Sequence, residues 1–274
     1  MTDIRQSKFD TDIEFEQLVK LQNEVYRKRN LRFSAESFKH WYVDNPCGRV
    51  ISFNAFDGED MVAHHACIPT KMVFGDEIIT GLHCMAIVTH DGYRGEGLFT
   101  TLAQHTIDRA KEMGYRFVIG VANDNSTHGF VDKLGFSYIT SLEVKMGFGT
   151  DITPKTDKMT RKYWDKDLFN WRLGCELKHY FRKDNALIGR YNSVLQTFMG
   201  TFGEDLLHDT ETTTRLLPKL YVGTGAKFGS HYIKVPKFVK HSPFNLIFLD
   251  LTDGKTPAPD KDNIFFQLFD FDVA

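Results

Sequence analysis

The 274-residue chain has little of what would mark a secreted, membrane-spanning or nucleic-acid-binding protein. It has four cysteines, Cys47, Cys67, Cys84 and Cys175, and none forms a CxxC pair. That spacing supplies neither a disulfide framework nor a thiolate metal site, so free thiols are expected. No apolar run approaches the roughly 20 residues that cross a bilayer as a helix. The opening stretch MTDIRQSKFDTDIEFEQL holds no apolar signal core. Both absences predict a cytoplasmic protein with no membrane span. Excess positive charge is also missing. The formal net charge is -2, whereas a domain that grips a phosphate backbone is usually basic. No nucleic-acid partner is therefore expected. Eleven histidines occur without an HExxH pair or a close Cys/His set, so no metal is expected. The Walker pattern GxxxxGK[ST] is absent. A dinucleotide turn would need a third small residue where Thr100 stands.

What is present reads as an α+β protein with one large domain or two modest ones. Asp12 to Tyr26 place Phe15, Leu18, Val19, Gln22 and Val25 on one face, a helical spacing that Thr11 or Asp12 can cap. A second helix starts near Ser34, carries Phe38, Trp41 and Tyr42, and stops at DNPCG (44–48). RVISFNAF, the turn DGED and MVAHHACIPT then read as a hairpin. KMVFGDEIIT turns again at Gly75-Asp76, and GLHCMAIVT follows as a strand. Next come a helix stopped by Gly114, a buried strand YRFVIGVAN, a short helix ending at Gly135, and SYITSLEVKMGF as another strand.

The polar stretch GTDITPKTDK (149–158) marks a boundary between residues 1–150 and 151–274. Beyond it, KDLFNWRLGCELKHYF reads as helix, and NALIGRYNS, HYIKVPKF, FNLIFLDLT and NIFFQLFDF read as strands. The second part is thus a further α+β unit of domain size, with no clean internal repeat and no chemical motif of its own.

One segment carries chemistry. HDGYRGEGLFTTLAQHTIDRAKEMGY (90–115) sits between the apolar runs His83–Val88 and Phe117–Val121. The order is strand, Gly-rich turn, helix, strand. A helix N-terminus offers unsatisfied N–H groups and a partial positive charge, which suits an anion. The glycines let the backbone approach a phosphate without a clashing Cβ, and Arg94 adds charge.

VTHDGYRGEGLFTTL, together with GFVDKLGF some thirty residues on, resembles the GNAT acetyltransferase superfamily, whose acyl-CoA signature is R/Q-x-x-G-x-G/A. This chain matches it at Arg94 and Gly97 and departs at Phe99. The resemblance covers roughly residues 10–148 and extends to the order of elements. It implies a GNAT fold over residues 1–150: a mixed, mostly antiparallel sheet flanked by helices, with 151–274 as an accessory domain on the acceptor side. More narrowly, WYxxNPxG (Trp41 to Gly48), YRGxGLF, ANDNSTHGFVDKLGF and FNWR (Phe169 to Arg172) resemble a subgroup found with bacterial surface-polysaccharide genes.

The resemblance implies transfer of an acetyl or short acyl group from acetyl-CoA to the amine of a small acceptor, an amino sugar in the subgroup. The same chemistry on an amino acid, an aminoglycoside or a protein lysine is the first alternative. A non-catalytic CoA-binding sensor or scaffold, monomeric or homodimeric like the enzyme, is the second. Arg94, Gly95, Glu96, Gly97, Leu98 and Phe99 would cradle the pyrophosphate, mostly through backbone. Ile87 and Val88 would pair with the pantetheine arm, and a backbone N–H near Val88 would hold the oxyanion. Asn123 and Asn125 lie where the family contacts the pantetheine arm. The family often has a tyrosine acid where Val131 stands, and valine cannot donate a proton, so the thiolate would leave unassisted or another group would serve. His83 is the first candidate for the base, a residue type that titrates near neutrality. His64 and His65 are adjacent and so face opposite sides of a strand.

Overall fold

A computed structural model describes residues 2–29, 33–174, 179–229, 231–236 and 243–271. Cys175 lies outside them.

The chain begins with β1 (Asp3–Ser7), α1 (Asp12–Tyr26) and α2 (Ala35–Tyr42). Both helices start as their sequences predict. Thr11 and Glu14 form a reciprocal capping box, and the Ser34 side chain accepts from the Ser37 N–H. The strands β2 (Ile51–Asp57), β3 (Asp60–Phe74) and β4 (Glu77–Thr89) follow as an antiparallel meander. The helix α3 (Leu98–Glu112) then crosses to β5 (Phe117–Ala122), which lies parallel to β4. A crossover helix is what a parallel pair needs. The short α4 (Asp124–His128) continues as a π-helical turn through Lys133 and leads to β6 (Ser137–Ser141) and β7 (Glu143–Gly147).

The rest of the chain gives β8 (Ile152–Pro154), β9 (Thr160–Lys162), α5 (Lys166–Leu173), β10 (Tyr180–Lys183), β11 (Ala186–Arg190) and β12 (Gln196–Thr201). It continues with α6 (Glu204–Leu207), β13 (Lys219–Thr224), β14 (Ala226–Phe228), β15 (Tyr232–Lys234), β16 (Asn245–Asp250) and β17 (Ile264–Gln267). The expected long helix after 165 is shorter: α5 ends at Leu173, and Tyr180 already belongs to a strand. The expected strand 137–148 is two strands, broken at the buried Leu142. Part of the strand expected at 231–238 lies outside the described residues.

Side-chain alternation puts α1 and α2 on one face of the first sheet, against Ala66, Ile68, Met85 and Val88. On the other face α3 covers Cys67, Leu82, Cys84 and Ile87. The division at residue 150 marks a change in sequence character but not a boundary in the sheet. β16, from the second part, inserts between β5 and β6 and pairs antiparallel with both. Asn245 ties it down, donating to Thr127 Oγ1 at 2.9 Å and accepting from Ser141 Oγ at 2.7 Å. In exchange β7, from the first part, pairs with β13 and β15 in the second.

With this exchange the two halves show one topology. The run β2-β3-β4-β5-β16-β6 has antiparallel neighbours throughout except for the parallel pair β4/β5. The run β10-β11-β12-β13-β7-β15 is antiparallel throughout except for the parallel pair β12/β13. Even an irregularity recurs. His64 faces Val88 but Ala66 faces Met85, which leaves an extra residue in β4 at Ala86–Ile87. Leu187 faces Gly200 but Ile188 faces Phe198, which leaves Met199 extra in β12. Such bulges bend and twist the strand that carries them. The repeat is one of topology, and the sequence does not display it.

The halves also interlock through side chains. Trp171 of α5 stacks on His40 at 5.5 Å, meets Trp41 edge-on at 5.0 Å, and donates to the His40 carbonyl at 3.0 Å. The buried Arg172 lies over the Trp41 and Phe269 rings and donates to the Phe269 and Phe271 carbonyls. One buried cluster joins Met72, Phe117 and Phe248 to Leu187, Met199 and Phe269 across both halves.

Candidate acyl-coenzyme site

β4 and β5 pair only at Leu82–Val118 and His83–Ile119. Both strands run on beyond that point, β4 to Thr89 and β5 to Ala122, without pairing to each other. They therefore part. Gly120 sits where they part: a Cβ on it would stand 3.3 Å from the Cys84 Cβ, so a larger residue would wedge the closed end apart. The bulge follows on β4. Ala86 adopts φ +52°, a left-handed conformation that costs a non-glycine residue roughly 1 kcal/mol or more. The buried Gln22 of α1 donates from Nε2 to the Ala86 carbonyl at 2.7 Å.

Beyond Thr89 the chain turns. His90 Nδ1 accepts from the Gly92 N–H, and Asp91–Tyr93 form a single 3-10 turn. Gly95 and Gly97 take φ +88° and +80°, left-handed values that favour glycine. Gly97 is the N-cap of α3, so no side chain caps this helix, and its first turn holds no acidic residue. The Thr100 and Thr101 hydroxyls donate to the Gly97 carbonyl and leave the first N–H groups alone. A 15-residue helix with an open, uncapped N-terminus is suited to an anion.

The predicted residues divide by position. Gly95, Glu96 and Gly97 are exposed on the turn, and Leu98 is buried under it. Arg94 is exposed and pairs with Asp91 at 2.8 Å. The Phe99 ring points away from the turn, packing on Gly129 and meeting Phe130 edge-on at 5.0 Å. It fastens the π-helical turn after α4 to α3. Asn123 caps α4, accepting from the Asn125 and Ser126 N–H groups, and Asn125 is exposed beside it. Ile87 is part of the bulge. The Val88 side chain is buried against α1 and α2.

His83 is buried on the α1 side of β4, and its Nδ1 has no hydrogen-bond partner. Burial, with the nearby Lys162 and Arg172 cations, holds its pKa well below the ordinary value. His64 is also buried. Its Nε2 pairs with the Tyr42 hydroxyl at 2.8 Å and its Nδ1 with Asn54 Oδ1 at 2.6 Å, and burial pushes its pKa down to about 3. His65 points to the opposite face, where Nδ1 pairs with Thr106 Oγ1 at 3.0 Å.

The pairing of Cys67 with Cys84, opposite each other on β3 and β4 with sulfurs 3.2 Å apart, was not foreseen. Both are free thiols, as is Cys47. The hydrogen bond with Cys67 pulls Cys84 down to about 6, with His65 contributing, while burial raises Cys67. The signal in the sequence was the period of two on facing strands, legible once the register is known.

Among the described residues, the second half lacks this arrangement. β12 and β13 also pair in parallel, but β17 and the turn after it fill the space beyond. β17 pairs with Gly223 and Thr224 of β13, and the Gln267 side chain accepts from the Thr201 N–H and donates to the Thr201 carbonyl. The turn after β12 leads into the four-residue α6, whose first turn carries Glu204 and Asp205. Two carboxylates repel an anion. A hollow of about 500 Å³ nearby, lined by residues including Arg182, Asp184 and Glu204, contains none of the strand-and-turn arrangement.

Parted parallel strands beside an uncapped helix N-terminus leave an open slot with free backbone N–H groups at its mouth. Residues 7–139 match the family model of the acetyltransferase (GNAT) domain. The chain thus carries a GNAT domain and is an N-acetyltransferase with acetyl-CoA as its donor. No curated protein matches it. Among solved structures it is similar to a probable N-acyltransferase from Enterococcus faecalis V583, at 8% identity and TM-score 0.63, over 92% of this chain and 73% of that one. It is also similar to GCN5-related N-acetyltransferases from Anabaena variabilis (10%, TM-score 0.55, 92% and 74%) and Kribbella flavida (11%, TM-score 0.55, 92% and 73%). At these identities the likeness concerns the fold, and it spans both halves. Among the described residues, no helix is long and apolar enough to cross a membrane.

Proposed function

We propose that the first half transfers acetyl from acetyl-CoA to the amine of a small acceptor, an amino sugar for surface polysaccharide, in the cytoplasm. The observation that carries the transfer chemistry is the opening between β4 and β5 beside the uncapped Gly97 N-cap, an arrangement the second half closes with its own β17. The amino sugar rests on the resemblance of the Trp41–Gly48 and Phe169–Arg172 stretches. Their aromatic residues meet at the contact between α2 and α5.

In this reading the backbone of Arg94, Gly95, Glu96, Gly97, Leu98 and Phe99 holds the pyrophosphate. Gly95 and Gly97 leave open space where a Cβ would stand. The parted edge of β4 at Ile87 and Val88 pairs with the pantetheine arm, and Asn123 and Asn125 border it. The amine attacks the thioester carbonyl, and the N–H groups of the bulge stabilise the oxyanion. Collapse expels the coenzyme as a thiolate, since Val131 offers no proton. His83 takes the amine's proton. Its depressed pKa keeps it neutral and able to accept, and makes it a weak base that acts as the C–N bond forms rather than before.

Calorimetric titration of acetyl-CoA tests the site. One molecule should bind per chain. Gly97→Trp, which forces a bulky residue to φ +80° in the turn, should weaken binding at least tenfold while the protein stays folded. Normal affinity in a folded Gly97→Trp protein would remove the turn from the site.

A further inference from the structure

Gln22 stands in an unusual place. It lies on the apolar face of α1, with Phe15, Leu18 and Leu21, and is 1% exposed. A leucine would fit that face without desolvating an amide, and a buried amide requires a partner. The partner is the Ala86 carbonyl, 64 residues away, at the bulge. That residue is the non-glycine position in β4 with a left-handed φ. A polar side chain inside an apolar face thus fixes one peptide unit, and that unit lies where β4 has left β5.

A trans peptide is planar, with its N–H antiparallel to its C=O, and the chain has no cis bond among its described residues. With the Ala86 carbonyl drawn toward α1, the N–H of the same peptide, on Ile87, points away from α1. The opposite face is that of α3, whose N-terminus carries the Gly97 turn. We propose that Gln22 is a positioning residue. It holds the Ala86–Ile87 peptide so that the Ile87 N–H faces the opening between β4 and β5 and donates to the thioester carbonyl of acetyl-CoA. This rests on the donor site assigned above. Without the Gln22 amide, Ala86 can relax toward an ordinary extended conformation and turn the Ile87 N–H out of line.

The test uses the full-length protein, Gln22→Met, which keeps the length and loses the donor, and Gln22→Glu, which keeps the shape and presents an acceptor to the carbonyl. Loss of a direct oxyanion donor costs ~10²–10³-fold in kcat, and a misaligned donor should cost ~10–100-fold. Free CoA, which has no carbonyl at this position, should bind wild type and both variants alike, and KM for acetyl-CoA should move less than ~3-fold. The infrared carbonyl band of bound acetyl-CoA, labelled with ¹³C at the thioester carbon, should lie below its position in water in the wild type and move back toward it in both variants.

A band unchanged in both variants, or an unchanged kcat, would overturn the role of Gln22. So would an equal loss of free CoA and acetyl-CoA affinity, which marks structural damage instead of lost alignment. A wild-type protein that binds neither ligand would overturn the donor site itself, and this role with it.

Discussion

Phe248 offers the sharpest test of the exchanged strand. It lies in β16, late in the sequence, yet it is fully buried in the sheet of the first half, paired with Ile119 and Ser137. Its ring stacks on Phe117 at 5.3 Å and 16°, and meets Phe74 edge-on at 6.0 Å. Replacing a buried phenylalanine with alanine costs ~3–5 kcal/mol, in transfer free energy and in the cavity left behind. The two ring contacts place Phe248 toward the upper end. At ~2–4 °C per kcal/mol for a chain of this size, Phe248→Ala should lower the melting temperature by ~6–20 °C. Because each half contributes a strand to the other and one buried cluster spans both, calorimetry should show a single transition. Acetyl-CoA, bound at the site proposed in the first half, should raise that same transition in wild type and variant. Ile233→Ala, at a position 69% exposed, should change stability by no more than ~0.5 kcal/mol. Two separate transitions, with the coenzyme-sensitive one unmoved by Phe248→Ala, would refute the exchange.

Two further predictions concern histidines. His83→Gln should retain acetyl-CoA affinity and lose ~10²-fold or more in kcat, and an unchanged kcat would remove His83 as the base. Stability should fall as pH drops from about 6.5. His64, with a folded pKa of about 3, and His83, also depressed, stay neutral in the folded protein and take up protons when it unfolds. Asp270, pushed up to about 6 by burial, acts oppositely: it holds a proton when folded and releases it on unfolding. Between pH 4.5 and 6 His64 takes up about one proton on unfolding and Asp270 releases about one, so the uptake by His83 sets the sign of the slope. Asp270→Asn should steepen the slope by ~1.4 kcal/mol per pH unit in urea melts, and a flat profile in that variant would show that the histidines protonate in place.

The fold and the geometry of the candidate turn were legible in the sequence wherever neighbours along the chain decide the outcome. Thr11 and Ser34 cap their helices through atoms three residues away. Gly95 and Gly97 set the turn by their own φ. The spacing of Leu102, Ala103, Thr106, Ile107 and Ala110 defines the buried stripe of α3. These signals are local, and the stretch Arg94–Phe99 carried the family resemblance on them.

What the chain could not show alone is which strand lies beside which. An apolar run such as FNLIFLDLT reads the same whether it closes its own domain or enters the sheet of another. Only the packed structure places it between β5 and β6 and sends β7 the other way. The repeated topology is hidden for the same reason: pairing order and a shared bulge preserve a fold without preserving residues. Gln22 looked like one member of a helical face until the tertiary structure set it against Ala86. Contacts that join distant segments depend on the whole sheet, and no window of sequence contains both partners.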